Sequence, residues 1–251
     1  MNKLNKIFSS IPALNEYQGY KFYQQHARYD NPIFAKLILA SMVFCVGYIE
    51  SCDREQKKYW QSIQENSSDL SKIYGQRCIL LFEAEQDHNG ALGSLRPSVS
   101  QMKSFQENKV LFVFRKIRKS QDLVLDWHKL AKQNNKIALV LINGHGNQKS
   151  INFGTELYPE NLENEVRNLP KGTSIVLVSC STGKGKGCFA EKISSYNRYV
   201  TVIAPSANAW GLTSNINYQY RDNQIIPSIV FQKMFSNNIT AYFQGGKNLV
   251  G

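Results

Sequence analysis

Two residues in this sequence have the type and setting of a reactive pair. His145 lies between Gly144 and Gly146, directly after the apolar run 137–142. Without Cβ atoms on either side, the backbone can turn sharply and let a substrate approach the main chain. An imidazole there can serve as a general base. Cys180 follows a second apolar run, 174–179, is flanked by Ser179, Ser181 and Thr182, and precedes Gly183. A thiol at a strand end, with a histidine near enough to take its proton, is a candidate nucleophile. Each residue also has a bland reading, as an exposed loop histidine and as a small buried hydrophobe. Cys45, Cys52, Cys78 and Cys188 fit the buried reading better, since they lie inside apolar or helical stretches. A histidine ending one strand and a cysteine ending the next is the pair that a thiol nucleophile and its base require.

The elements that must position this pair are legible in outline. Short apolar runs at 78–84, 110–114, 137–142, 174–179 and 199–204 alternate with amphipathic stretches. Leu123, Trp127 and Leu130 recur at helical spacing behind a Ser120 cap, which predicts a helix over 120–134. Shorter helices are expected over 159–169 and 188–195. Continuous apolar strands separated by helices predict an α/β fold: a three-layer α/β/α sandwich around a mostly parallel sheet of about five or six strands. Ligands of such sheets bind beyond the carboxyl ends of the strands. The polar, glycine-rich segments 87–90, 143–147 and 179–183 each occupy such an end, so the three converge on one cleft.

Length and composition set the frame. The chain has 251 residues and 28.6 kDa, enough for one large domain or a smaller one with an extension. Residues 1–70 read as a helical N-terminal extension and 71–251 as the α/β domain. Within the extension, 33–49 holds a single charge, Lys36, and its uninterrupted part is thirteen residues. A bilayer span needs roughly 20 apolar residues, so a core helix is expected and membrane contact through 33–49 is the weaker reading. No ordinary signal peptide is visible. Five cysteines without repeated spacing build neither a disulfide framework nor a zinc site, which points to free thiols in a reducing environment, with no metal and no cofactor.

The order strand, Gly144-His145-Gly146, strand, Ser179-Cys180 within an alternating α/β chain resembles the catalytic pair of clan CD cysteine peptidases. That group includes caspases, legumain, gingipains, clostripain, separase and the self-cleaving protease domains of large bacterial toxins. The resemblance covers roughly 77–245 and implies a caspase-like fold and peptide-bond hydrolysis. It implies His145 as base and proton donor, Cys180 as nucleophile, and the backbone N–H groups of Gly146 and Cys180 as the oxyanion hole. His88 is the alternative base. The segments Asp87-His88-Asn89 and Ser206-Ala207-Asn208-Ala209-Trp210 match places where members bind substrate. Ala207 and Trp210 could wall an apolar slot for the residue before the scissile bond, although a tryptophan there is more commonly core. A basic residue at that position would instead need Asp87 or Asp222. The chain departs from the caspase Gln-Ala-Cys signature, since Ser179 stands before the cysteine.

Rival readings come from charge. Thirty Lys and Arg against nineteen Asp and Glu leave a net +11, which favours anionic ligands or surfaces. The run Arg115-Lys116-Ile117-Arg118-Lys119 could dock one, as a basic module or as a catalytically silent caspase-like fold. No nucleic-acid signature accompanies it, so nucleic acid is disfavoured. The run 180–187, Cys-Ser-Thr-Gly-Lys-Gly-Lys-Gly, lacks the glycine spacing and the Lys-Ser/Thr step of a phosphate loop. The expected partner is a peptide or protein substrate, and the expected setting is the cytoplasm or that of a secreted effector.

Overall fold

The apolar runs become strands. The computed structural model describes residues 58, 61, 77–85, 99–133, 136–207, 213–221, 224–232 and 239–249. The chain divides into two units, Met1–Lys58 and Tyr59–Gly251. The expected helical extension over 1–70, with its stretch 33–49, lies outside the described residues except for Lys58 and Gln61, which are helical positions. Among the described residues no helix is long and apolar enough to cross a membrane.

The described strands in chain order are β1 (Arg77–Ala84), β2 (Val110–Ile117), β3 (Ile137–Asn143), β4 (His145–Gly146), β5 (Ile151–Asn152), β6 (Glu156–Leu157), β7 (Ser174–Val178), β8 (Thr201–Pro205), β9 (Thr213–Arg221), β10 (Gln224–Gln232), β11 (Thr240–Gln244) and β12 (Lys247–Asn248). The described α-helices are α1 (Val99–Glu107), α2 (Ser120–Gln133), α3 (Glu163–Arg167) and α4 (Phe189–Tyr196), and a 3-10 turn, Pro159–Leu162, leads into α3. A seven-stranded sheet runs β12-β11-β8-β7-β3-β1-β2. Its five strands from β8 to β2 are parallel, and β11 and β12 add antiparallel pairs at one edge. The mostly parallel α/β sheet is as expected, with seven strands rather than five or six.

Alternation along β1 divides the core between the two faces of the sheet. Cys78, Leu80, Phe82 and Ala84 join Leu123, Trp127 and Leu130 of α2 and Phe189 and Ile193 of α4. Trp127 stacks on Phe82 with ring centroids 5.8 Å apart. Ile79 and Leu81 instead meet Phe105 of α1 and Ile225 and Phe231 of β10. One outer layer therefore includes the hairpin β9–β10, paired from Gln224↔Arg221 to Gln232↔Thr213, which the apolar pattern did not announce.

One local expectation is corrected. Ser120 opens α2, but its hydroxyl pairs with Thr155 Oγ1 at 2.8 Å, and its N–H donates to the same oxygen at 2.9 Å. The helix start is held by Asp122, whose carboxylate accepts the Lys119 N–H at 3.2 Å.

Candidate active site

Register decides whether His145 and Cys180 can meet. β3 and β7 are parallel neighbours, paired from Leu139↔Ser174 to Asn143↔Val178. Each candidate residue lies two positions beyond that last pair, so both leave the sheet at its carboxyl end on adjacent strands. Adjacent strands lie about 4.8 Å apart. The two segments also touch. A Cβ added to Gly146 would fall 2.8 Å from Ser179 Cβ and 3.3 Å from both Ser150 O and Thr182 Cγ2. Glycine beside His145 is thus required by close approach to the cysteine turn.

The histidine side is a small hairpin. His145 and Gly146 form β4, paired with Asn152 and Ile151 of β5. Asn147 closes the turn: its N–H donates to Ser150 O at 2.9 Å, and its Oδ1 accepts from Lys149 N at 2.7 Å and Ser150 N at 3.1 Å. Because Asn147 and Ser150 are a hydrogen-bonded pair, the next pair, Gly146 and Ile151, is a non-hydrogen-bonded one. The Gly146 N–H therefore points away from β5.

The cysteine side is a tied turn. Thr182 Oγ1 donates to Ser179 O at 2.9 Å. Ser181 adopts a left-handed φ of 56°, and its N–H donates to Ala207 O at 3.0 Å. The Gly183 N–H donates to Pro205 O at 2.9 Å, and any Cβ on Gly183 would meet Ala204 and Pro205 at 3.1–3.2 Å. Among the described residues no carbonyl accepts the Cys180 N–H. The thiol is partly exposed, whereas Cys78 and Cys188 are buried. Burial pushes the Cys188 thiol above its ordinary pKa, which keeps it protonated and unreactive.

Other expected site residues fall out unevenly. The bonds to Pro205 and Ala207 bring the segment beyond β8 beside the Cys180 turn. Ala207 is half-buried there. Ser206 commits both its N–H and its hydroxyl to Ile239 O, at 2.7 and 2.9 Å. Asp87, His88, Asn89, Trp210 and Asp222 lie outside the described residues.

Sequence reading missed a polar row beneath the site. Lys116, Glu83 and Asn143 are cross-strand partners on β2, β1 and β3. Lys116 Nζ lies 3.5 Å from Glu83, and Asn143 Nδ2 donates to Glu83 at 3.4 Å. Among the described residues Asn143 Oδ1 and Ser179 Oγ are buried without a hydrogen-bond partner. Orphaned groups of this kind cost about 1–3 kcal/mol each, and two of them flank the His145 and Cys180 segments. The only advance signal was a polar residue closing an apolar run, which does not reveal its cross-strand partner.

The basic run is largely matched internally. Arg115 lies 3.8 Å from Asp126, Lys116 meets Glu83, and Arg118 donates to Glu85 at 2.8 and 3.3 Å. Among the described residues no cluster of three or more His, Cys, Asp or Glu gathers as metal ligands would. A depression of about 430 Å³ is lined by Ser120, Val124, Leu125, Glu156 and Tyr158 and includes neither His145 nor Cys180.

Comparison with known proteins gives a family model described as "Domain of unknown function (DUF8616)", which matches residues 116–220. No curated protein matches the sequence. Among solved structures, a secreted C11 cysteine protease from Bacteroides thetaiotaomicron, in complex with an irreversible peptide inhibitor, is similar at 11% identity and TM-score 0.38. That match covers 54% of this chain and 50% of the protease, so the chain spans about half of that protein. Caspase-1 from Spodoptera frugiperda is similar at 12% identity and TM-score 0.34, covering 62% of this chain and 67% of the caspase. The structure titled pro-sf-caspase-1 gives 12% identity and TM-score 0.35, covering 62% and 68%.

Proposed function

We propose that the protein is a cysteine peptidase in which Cys180 is the nucleophile and His145 its base. The observation that supports this reading is the contact of Gly146 with Ser179 across the in-register ends of β3 and β7. In the proposed reaction His145 takes the Cys180 proton as Sγ bonds to the substrate carbonyl carbon. The oxyanion is held by the N–H groups of Gly146 and Cys180, donors of a kind worth roughly 10²–10³ in rate each. Collapse breaks the C–N bond, and His145 delivers its proton to the leaving amine. Water then attacks the thioester with His145 again as base, releasing the acid and restoring the thiol. Ala207 is the described candidate for an apolar wall beside the residue before the scissile bond.

Peptide-library profiling of the wild type and of Cys180→Ala and His145→Ala tests this reading. Cleavage by the wild type is expected to fall at least 10³-fold in either variant, with the melting temperature nearly unchanged. Undiminished cleavage by Cys180→Ala would assign the nucleophile elsewhere. Strong cleavage after Arg or Lys would replace the apolar slot with a carboxylate pocket at Asp87 or Asp222.

A further inference from the structure

The loops that flank the candidate pair carry lysines that join no ion pair among the described residues. Lys149 is exposed at the tip of the β4–β5 hairpin, four residues beyond His145. Lys184 and Lys186 lie in the exposed loop 184–187, four and six residues beyond Cys180. The two loops are fastened together: Gln148 Nε2 donates to Lys186 O at 3.4 Å, and the Phe189 N–H donates to Gln148 O at 2.7 Å. Gly185 and Gly187 hold φ values of 72° and 69°, which glycine adopts without strain. The acid facing this loop, Glu191, turns its carboxylate to the Gly187 N–H at 2.6 Å. Among the described residues none of the three lysines joins an ion pair, whereas Arg115, Lys116, Arg118, Arg167 and Lys192 all meet carboxylates.

Lys184 and Lys186 have Cα atoms no more than about 7 Å apart, as two residues of chain allow. That is within the screening length of about 8 Å at physiological salt, so their fields add. The two tied loops that carry these lysines directly follow His145 and Cys180 in sequence. We infer that the rim formed by Lys149, Lys184 and Lys186 selects substrates with acidic residues on one flank of the scissile bond, distinct from the residue whose bond is cut. Its position on the substrate rests on the peptidase reading, but its affinity for an acidic peptide does not. Exposed rim charges act on encounter and ground-state binding more than on the chemical step. Acidic flanks are therefore expected to lower KM while leaving kcat nearly unchanged.

Binding and turnover test the two readings separately. The first experiment measures fluorescence anisotropy of labelled decapeptides carrying four Glu or four Gln, and of a ten-residue oligothymidylate, on full-length Cys180→Ala protein. The Glu peptide is expected to bind at least tenfold tighter than the Gln peptide at 50 mM salt, with the margin shrinking at 500 mM. Adding K149E, K184E and K186E should erase the margin. Reversing Lys103, Lys129 and Lys132, exposed helix lysines, changes net charge equally and should preserve it. Equal affinity for both peptides, or a margin that survives the rim substitutions, overturns the inference. So does tight oligothymidylate binding through the rim without preference between the peptides, which would make nucleic acid the ligand. The second experiment measures cleavage of the same peptides by the wild type. Failure to cut any peptide while the margin persists would refute the peptidase reading and uphold the rim.

Discussion

At Gly146 a single methyl group would test the closeness of the two segments that carry the proposed pair. Gly146→Ala drives a Cβ to 2.8 Å from Ser179 Cβ, so the β4 hairpin must move off the cysteine turn. Overpacking of this kind costs about 1–3 kcal/mol of stability. An ångström of displacement between reacting groups costs about 10² in rate. Activity should thus fall about 100-fold in Gly146→Ala, and Ser179→Gly in the same chain should restore at least part of it. A double-mutant cycle on kcat/KM checks that coupling, and strict additivity would show that the segments do not bear on each other. Ser181 gives a second check, because its φ of 56° is strained for any side chain. Ser181→Val should lower stability by about 1–2 kcal/mol, while Ser181→Gly is tolerated, as denaturant melts would report. Iodoacetamide should reach Cys180 well before Cys78 and Cys188, both buried. Mass mapping of the labelled peptides decides this. The strand-end placement of His145 and Cys180 was legible because glycine, serine and threonine gather where an apolar run stops. Glu83 and Asn143 were not, since their partnership spans 60 positions and exists only through strand register.

The same division holds among elements. The five parallel strands announced themselves as unbroken apolar runs, because a strand buried on both faces has no polar side to show. α2 was equally plain, with Trp127 at its centre fully buried against Phe82. Trp127→Ala should cost about 3–5 kcal/mol in thermal or denaturant unfolding. β4, β5 and β6 escaped notice because two-residue strands of His, Gly, Asn, Ile, Glu and Leu carry no period. β9, Thr-Ser-Asn-Ile-Asn-Tyr-Gln-Tyr-Arg, is mostly polar, and β10 contains Pro227, so neither reads as a strand from composition. The link just beyond the ends of β1 and β2 has a pH signature. The Arg118 guanidinium, hydrogen-bonded to Glu85, holds that carboxyl below its ordinary value of 4.5. A depressed carboxyl stabilises the fold above the unfolded-state pKa and loses that contribution as pH falls through the folded one. Acid titration of stability should therefore be shallower below pH 4.5 in Arg118→Gln than in the wild type.

Across the whole molecule the candidate centre is a composite of distant chain segments. His145 arrives with β3, Cys180 with β7, and the restraints on the cysteine turn with Pro205 at the end of β8 and Ala207 just beyond it. Local bonds such as Thr182 Oγ1 to Ser179 O shape each turn, but the contacts that join the segments are long-range in sequence, the kind that forms slowly. Ordered synthesis gives those contacts a calendar. Between addition of the thiol and of its last described tether, 27 positions must be polymerised, roughly one to five seconds at ribosomal speeds. During that interval the chain owns both reactive groups while its cysteine turn is unanchored. A chain halted after residue 200 should accordingly alkylate at Cys180 no faster than an ordinary free thiol, although His145 is already present. On the peptidase reading proposed above, competence waits for residue 207, so each new copy passes its youth chemically mute.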